Sequence, residues 1–274
     1  MNRFLRAQDA PHRNHGAPEL QLVPEATRER GDVGGIGETA ILFARSRIEQ
    51  VDHSVIRRNR LLLPGVVGSE AHSFKMLRTQ VLQRMVQRGW NTLAIVSPTP
   101  GDGKTFTAAN LAIAISGDTK YTALLVDLDL RRPTVHRRFG IECSVGVECC
   151  LRGEAEISDV LVNPSGYERL LLLPACEPVA NSSELLSSDL ACGLIQEIKD
   201  RYQNRIVLFD LPPVLGADDA LAFVPQIDAA LVVVRDGETR SEDLLRLFEV
   251  LKNTPIVGTV LNGVPKDRTR AYAY

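Results

Sequence analysis

Residues 92–112 read Thr92-Leu93-Ala94-Ile95-Val96-Ser97-Pro98-Thr99-Pro100-Gly101-Asp102-Gly103-Lys104-Thr105-Phe106-Thr107-Ala108-Ala109-Asn110-Leu111-Ala112. A short apolar run passes through a glycine-bearing loop directly into a helix-forming segment. Glycines let the backbone curl until successive N–H groups point at phosphate oxygens, and the helix N-terminus adds its dipole. Lys104 then reaches β and γ phosphates, and Thr105 is the hydroxyl that ligates Mg²⁺. Pro100, Gly101, Asp102, Gly103, Lys104, Thr105 and Phe106 are the candidate nucleotide contacts. The strict phosphate-loop pattern has glycine where Pro98 stands, so this loop is a variant.

Outward from this loop, similar apolar runs recur at 123–127, 170–173, 206–210, 229–234 and 256–261, separated by helical segments. That alternation predicts an α/β fold of the P-loop NTPase kind, a mostly parallel sheet covered by helices on both faces. Ligands of such a sheet gather at the carboxyl ends of its strands.

The 274-residue chain divides into a leader, residues 1–60, a domain, 61–265, and a tail, 266–274. The leader has ten arginines, no lysine and eight acids, punctuated by proline and glycine, and reads as mobile. Within it Thr39 to Val51 has the spacing of one amphipathic helix. The net charge of −2 argues against nucleic acid as a partner. The five cysteines lack C-x-x-C spacing and read as mostly small buried hydrophobes in a reduced cytosol. No apolar run approaches the ~20 residues of a membrane span, and the first residues lack a signal-peptide core. A cytoplasmic protein that meets the membrane through a partner is expected.

The strand after the loop ends Val126-Asp127-Leu128-Asp129-Leu130-Arg131. Carboxylates at i and i+2 share one face of an extended segment, suited to holding a metal or taking a proton, while Arg131 can balance phosphate charge. Asp210 ends another run and leads into Leu211-Pro212-Pro213, the placement of an acid that holds Mg²⁺ through water. Lys104, Asp127, Asp129, Arg131 and Asp210 are the candidate catalytic set, with Thr105, Asp127 and Asp210 as metal ligands.

These motifs resemble the bacterial tyrosine kinase family, phosphate-loop autokinases of capsule and exopolysaccharide export. The likeness spans roughly residues 69–274 and includes Leu77-Arg78-Thr79, Ser183-Glu184-Leu185-Leu186-Ser187-Ser188 and Gly258-Thr259-Val260-Leu261-Asn262. It implies ATP and Mg²⁺ as cofactors, Asn262 as an adenine contact, and autophosphorylation in trans of a C-terminal tyrosine cluster, here Tyr272 and Tyr274. Asp127 or Asp129 would orient or deprotonate the phenol. The resemblance also implies a membrane polysaccharide co-polymerase as activator, a tyrosine phosphatase, and a homo-oligomeric ring.

Two departures bear on these expectations. Ring-forming relatives commonly carry Glu-x-x-Arg-x-x-Arg where this chain has His72, Lys75 and Arg78, so the carboxylate is missing unless Glu70 supplies it. The tail offers two tyrosines where many relatives have more. The alternatives are a Min/Par-type ATPase switch, against which Thr99 stands where those proteins bear a second lysine, and a nucleotide-binding regulatory subunit with little kinase activity.

Overall fold

The computed structural model describes residues 46–200 and 204–265. Eight strands form one sheet: β1 (Arg47–Glu49), β2 (Thr92–Val96), β3 (Thr122–Asp127), β4 (Val162–Pro164), β5 (Leu170–Leu173), β6 (Arg205–Asp210), β7 (Ala229–Arg235) and β8 (Ile256–Asn262). Their order is β1-β4-β5-β3-β6-β2-β7-β8, parallel throughout except between β4 and β5.

The alternation within β2, β3, β6 and β7 builds two cores. Ala94, Val96, Leu124, Val126, Val207, Phe209, Ala230 and Val232 face one side. Leu93, Ile95, Ala123, Leu125, Ile206, Leu208, Ala229 and Leu231 face the other. Both sets are buried, as a parallel sheet between two helical layers requires. Each fully buried leucine or phenylalanine contributes about 1.5–3 kcal/mol relative to exposure.

The second layer is α1 (His53–Arg58), α2 (Ser69–Gln87), α3 (Lys104–Ser116) and α4 (Val135–Phe139). The first contains α5 (Val147–Leu151), α7 (Ser182–Leu186), α8 (Asp189–Asp200), α9 (Asp219–Phe223) and α10 (Ser241–Val250), with the short α6 (Ile157–Val160) beside them. Helix α3 is buried on nearly every side, the pattern of a central helix. Phe106 on α3 meets Phe74 on α2 edge-to-face at 5.8 Å.

Three expectations meet a different outcome. Arg47–Glu49 is a strand, not the end of a helix, because pairing with Val162–Pro164 satisfies its backbone. The remainder of the expected helix lies outside the described residues. The segment assigned to the leader thus supplies β1 and α1 to the body, where Ile56 is fully buried. The cysteines are also not a set of buried thiols: Cys143 and Cys176 form a disulfide. Val147 N–H donates to the Pro174 carbonyl and the buried Glu148 carboxylate accepts from Cys176 N–H, drawing the two segments together. Of the free thiols only Cys150 is buried, and burial pushes it up to about 12.

At the amino end of the sheet, Asp228 ties β2 to β7. It accepts from Asn91 N–H at 3.0 Å, Thr92 N–H at 3.1 Å and the Thr92 hydroxyl at 2.8 Å, and pairs with Lys199. At the carboxyl end, the β3–β6 register sets Asp127 against Asp210, and the β6–β2 register sets Asp210 against Ile95, two residues before Ser97. The strand ends therefore converge on the phosphate loop. Among the described residues, no helix is long and apolar enough to cross a membrane.

Candidate nucleotide site

The loop between β2 and α3 curls through Gly101 at φ 90° and Gly103 at φ 96°, left-handed conformations that favour glycine. A Cβ on Gly103 would lie 2.0 Å from Asn262 Nδ2, so this position also needs glycine for space. The loop is braced from inside. Asp102 is buried, its carboxylate accepting from Thr99 N–H and the Thr99 hydroxyl, both at 2.9 Å, and from the Thr239 hydroxyl at 2.7 Å. Its side chain is thus committed to the loop's own shape, leaving the backbone for a ligand. Pro100 and Gly101 are exposed at the tip.

Lys104 opens α3, and its ammonium lies 2.8 Å from Asp129. Burial alone would depress the ammonium, but Asp210 and Asp129 outweigh it and raise the Lys104 pKa. Asp127 is fully buried; its oxygens accept from Asp129 N–H at 3.2 Å, Thr134 N–H at 3.0 Å and Val135 N–H at 2.9 Å. Burial and then the Asp210 charge nevertheless push Asp127 well above the usual carboxylate range. Burial raises Asp210 as well, against the pull of Lys104 and the Thr105 hydroxyl. Both Asp210 oxygens are buried and meet no donor at hydrogen-bonding geometry. Two buried carboxylates side by side with one ammonium form a site that favours added positive charge.

Lys104, Thr105, Asp127, Asp129 and Asp210 therefore come together. Thr105, Asp127 and Asp210 are oxygen donors suited to a hard divalent cation. Among the described residues, no group of three or more His, Cys, Asp or Glu side chains is gathered as a self-sufficient metal site.

Arg131 is turned elsewhere. It contacts Asp218 at 2.6 Å and the fully buried Asp219 at 2.8 Å, with the Ser182 hydroxyl at 3.2 Å, tying the acidic segment to α7 and α9. Asn262 ends β8 against the loop and donates to the Asp102 carbonyl at 2.9 Å. Arg78 on α2 points inward to the Ala114 carbonyl in the last turn of α3, where a cation is favoured, while His72 and Lys75 are exposed. Tyr272 and Tyr274 lie outside the described residues. Sequence reasoning missed Thr239, Arg235, Asp218 and Asp219. The only local signal was the turn Asp236-Gly237 after β7; their partners in the phosphate loop and the acidic segment are 87 or more residues away.

The sequence profile of the CobQ/CobB/MinD/ParA nucleotide binding domain matches residues 93–273. The chain is 30% identical over 223 residues to tyrosine-protein kinase YwqD of Bacillus subtilis, covering 81% of this chain and 92% of that protein. It is also 30% identical to tyrosine-protein kinase etk of Escherichia coli over 78% of this chain, though it spans only 29% of the length of that relative. Among solved structures, the kinase domain of Escherichia coli tyrosine kinase ETK superposes with a TM-score of 0.67 at 30% identity, covering 74% of this chain and 79% of that one. With the loop, the acidic strand ends and these likenesses together, the chain belongs to the bacterial tyrosine kinase family within the CobQ/CobB/MinD/ParA nucleotide-binding domains.

Proposed function

We propose that the protein is an ATP-dependent protein-tyrosine autokinase that phosphorylates Tyr272 and Tyr274 in trans and so regulates polysaccharide polymerisation and export. The observation that carries this reading is the convergence of Lys104, Asp127, Asp129 and Asp210 on the glycine loop at the carboxyl ends of β2, β3 and β6. Membership of the tyrosine kinase family supports the choice of acceptor.

In this reading the Asp102 and Gly103 N–H groups and the Lys104 ammonium hold the phosphates, Lys104 exchanging its Asp129 partner for them. The orphaned Asp210 oxygens and the Thr105 hydroxyl fit Mg²⁺, with Asp127 behind them. Bound there, Mg²⁺ would neutralise charge on the transferring phosphoryl group. Release from Lys104 leaves the Asp129 carboxylate to take the phenol proton, because Asp127 is fully buried with its oxygens already accepting three N–H bonds. A tyrosine with a pKa of ~10 needs that assistance at neutral pH. Asn262 contacts the base through its side-chain oxygen, its amide being engaged by the loop. Arg131 positions the acidic segment through Asp218 and Asp219. A membrane polysaccharide co-polymerase activates the kinase and brings it to the inner face of the membrane, a phosphatase resets it, and copies of the chain exchange tails within an oligomer.

Purified protein incubated with γ-labelled ATP and Mg²⁺ should incorporate label. Lys104→Met and the double variant Tyr272→Phe/Tyr274→Phe should each abolish it. Label persisting without both tyrosines refutes the acceptor assignment. Phosphate release to water without phosphotyrosine would favour the Min/Par-type switch.

A further inference from the structure

We infer that Arg235, the last residue of β7, and Thr239, in the turn that follows it, are positioning residues for ATP: they hold the phosphate loop open as an anion nest from outside it. The inference rests on reading this loop as the ATP site and adds residues that its motif does not contain.

Peptide planarity is the physical basis. In a trans peptide the carbonyl of one residue and the N–H of the next point in opposite directions. A carbonyl tethered on one side of the loop therefore sends the following N–H to the other. Arg235 Nη1 donates to the Gly101 carbonyl at 3.0 Å, which directs the Asp102 N–H. Asn262 Nδ2 donates to the Asp102 carbonyl at 2.9 Å, which directs the Gly103 N–H. Glycines at φ 90° and 96° make this arrangement accessible without selecting it, since glycine populates many other conformations.

Thr239 fixes the other half of the loop. Its hydroxyl accepts from Arg235 N–H at 2.7 Å and donates to Asp102 Oδ1 at 2.7 Å, while Asp102 Oδ2 gathers Thr99. The chain Arg235–Thr239–Asp102–Thr99 thus runs from the end of β7 to the start of the loop. Glu238 pairs with Arg235 Nε at 3.0 Å, aiming the guanidinium and offsetting its charge. Arg235 therefore acts through the orientation of a peptide, with much of its cationic field answered locally.

Direct contact with the base, long-range charge and peptide positioning predict different results, which fluorescent-ATP titration of the full chain and its competition by inorganic triphosphate separate. Positioning predicts that Arg235→Met and Thr239→Val weaken ATP and triphosphate by the same factor, roughly fivefold for one lost hydrogen bond. Arg235→Gln, which keeps a donor without the charge, and Thr239→Ser should restore most of the affinity, and the melting temperatures of these two variants should stay near wild type. Weakening of ATP with triphosphate unaffected would assign Arg235 to the base and overturn the inference. Equal loss in Arg235→Met and Arg235→Gln would overturn it in favour of charge, and unchanged affinity in both Arg235→Met and Thr239→Val would also overturn it. Wild-type protein that binds neither ligand would instead refute the nucleotide reading itself.

Discussion

Replacing Asp210 by asparagine should make the nucleotide-free protein more stable while destroying its activity. Asp210 is fully buried, both oxygens lack a donor at hydrogen-bonding geometry, and Asp127 stands opposite it in the β3–β6 register. Burial raises its pKa above the ordinary 3.8, so ionisation at neutral pH works against folding. The sign follows from linkage. A carboxylic acid raised in the folded state binds more protons there than in the unfolded chain, so its contribution falls as pH rises from about 4 through the folded value. Removing a buried charge that no hydrogen bond satisfies, while Lys104 keeps Asp129, should gain about 1–2 kcal/mol at pH 7.5, the usual cost of an unsatisfied buried polar group, or about 3–6 °C in melting temperature for a domain of this size. Asp127→Asn should not share the gain, because three N–H donors rely on its two oxygens and an amide supplies only one acceptor. It should melt below Asp210→Asn by about 1–3 kcal/mol. The assay is thermal unfolding by circular dichroism in EDTA from pH 5 to 8, repeated with ATP and Mg²⁺. The Asp210→Asn advantage should shrink towards pH 5, and ligand stabilisation should be lost. An Asp210→Asn protein melting below wild type at pH 7.5 in EDTA would refute the electrostatic reasoning.

Gly103→Ala forces a side chain onto φ 96° and onto Asn262; it should lower stability by about 1–3 kcal/mol and weaken nucleotide binding, both read by melts with and without ATP. Asp228→Ala leaves Lys199 and three donors without their acceptor and should cost about 2–3 kcal/mol in urea unfolding. Against the opposing effect of burial, Lys199 and those donors hold the Asp228 pKa below 3.8, so this contribution is present above that pH and is lost as pH falls through the folded value. Thiol titration of denatured protein should find three free thiols before reduction and five after, and Cys143→Ser should lower stability by roughly 3 kcal/mol through the loop it opens.

Six of the eight strands were legible because each is a predominantly apolar run, and in β2, β3, β5, β6 and β7 alternate residues serve two cores. The phosphate loop and the three strand-end acids were legible for a related reason. Glycine, lysine and threonine at fixed spacing, or an acid ending an apolar run, are local patterns that declare themselves within ten residues. Strands β1 and β4 were not, since Arg47-Ile48-Glu49 and Val162-Asn163-Pro164 have no periodicity of their own and become strands by pairing with each other across more than a hundred residues.

The sequence by itself determined the class of sheet, the position of the loop and the identity of the charged groups beside it. Only the tertiary structure decided what those groups do. It turned the Asp102 carboxylate inward to Thr99 and Thr239, engaged Arg131 with Asp218 and Asp219, joined Cys143 to Cys176, and buried Asp127 while leaving Asp129 on Lys104. The physical reason is that a side chain's charge and hydrogen-bonding capacity are written in its own residue, whereas its burial and its partner are supplied by strands and turns distant in the chain.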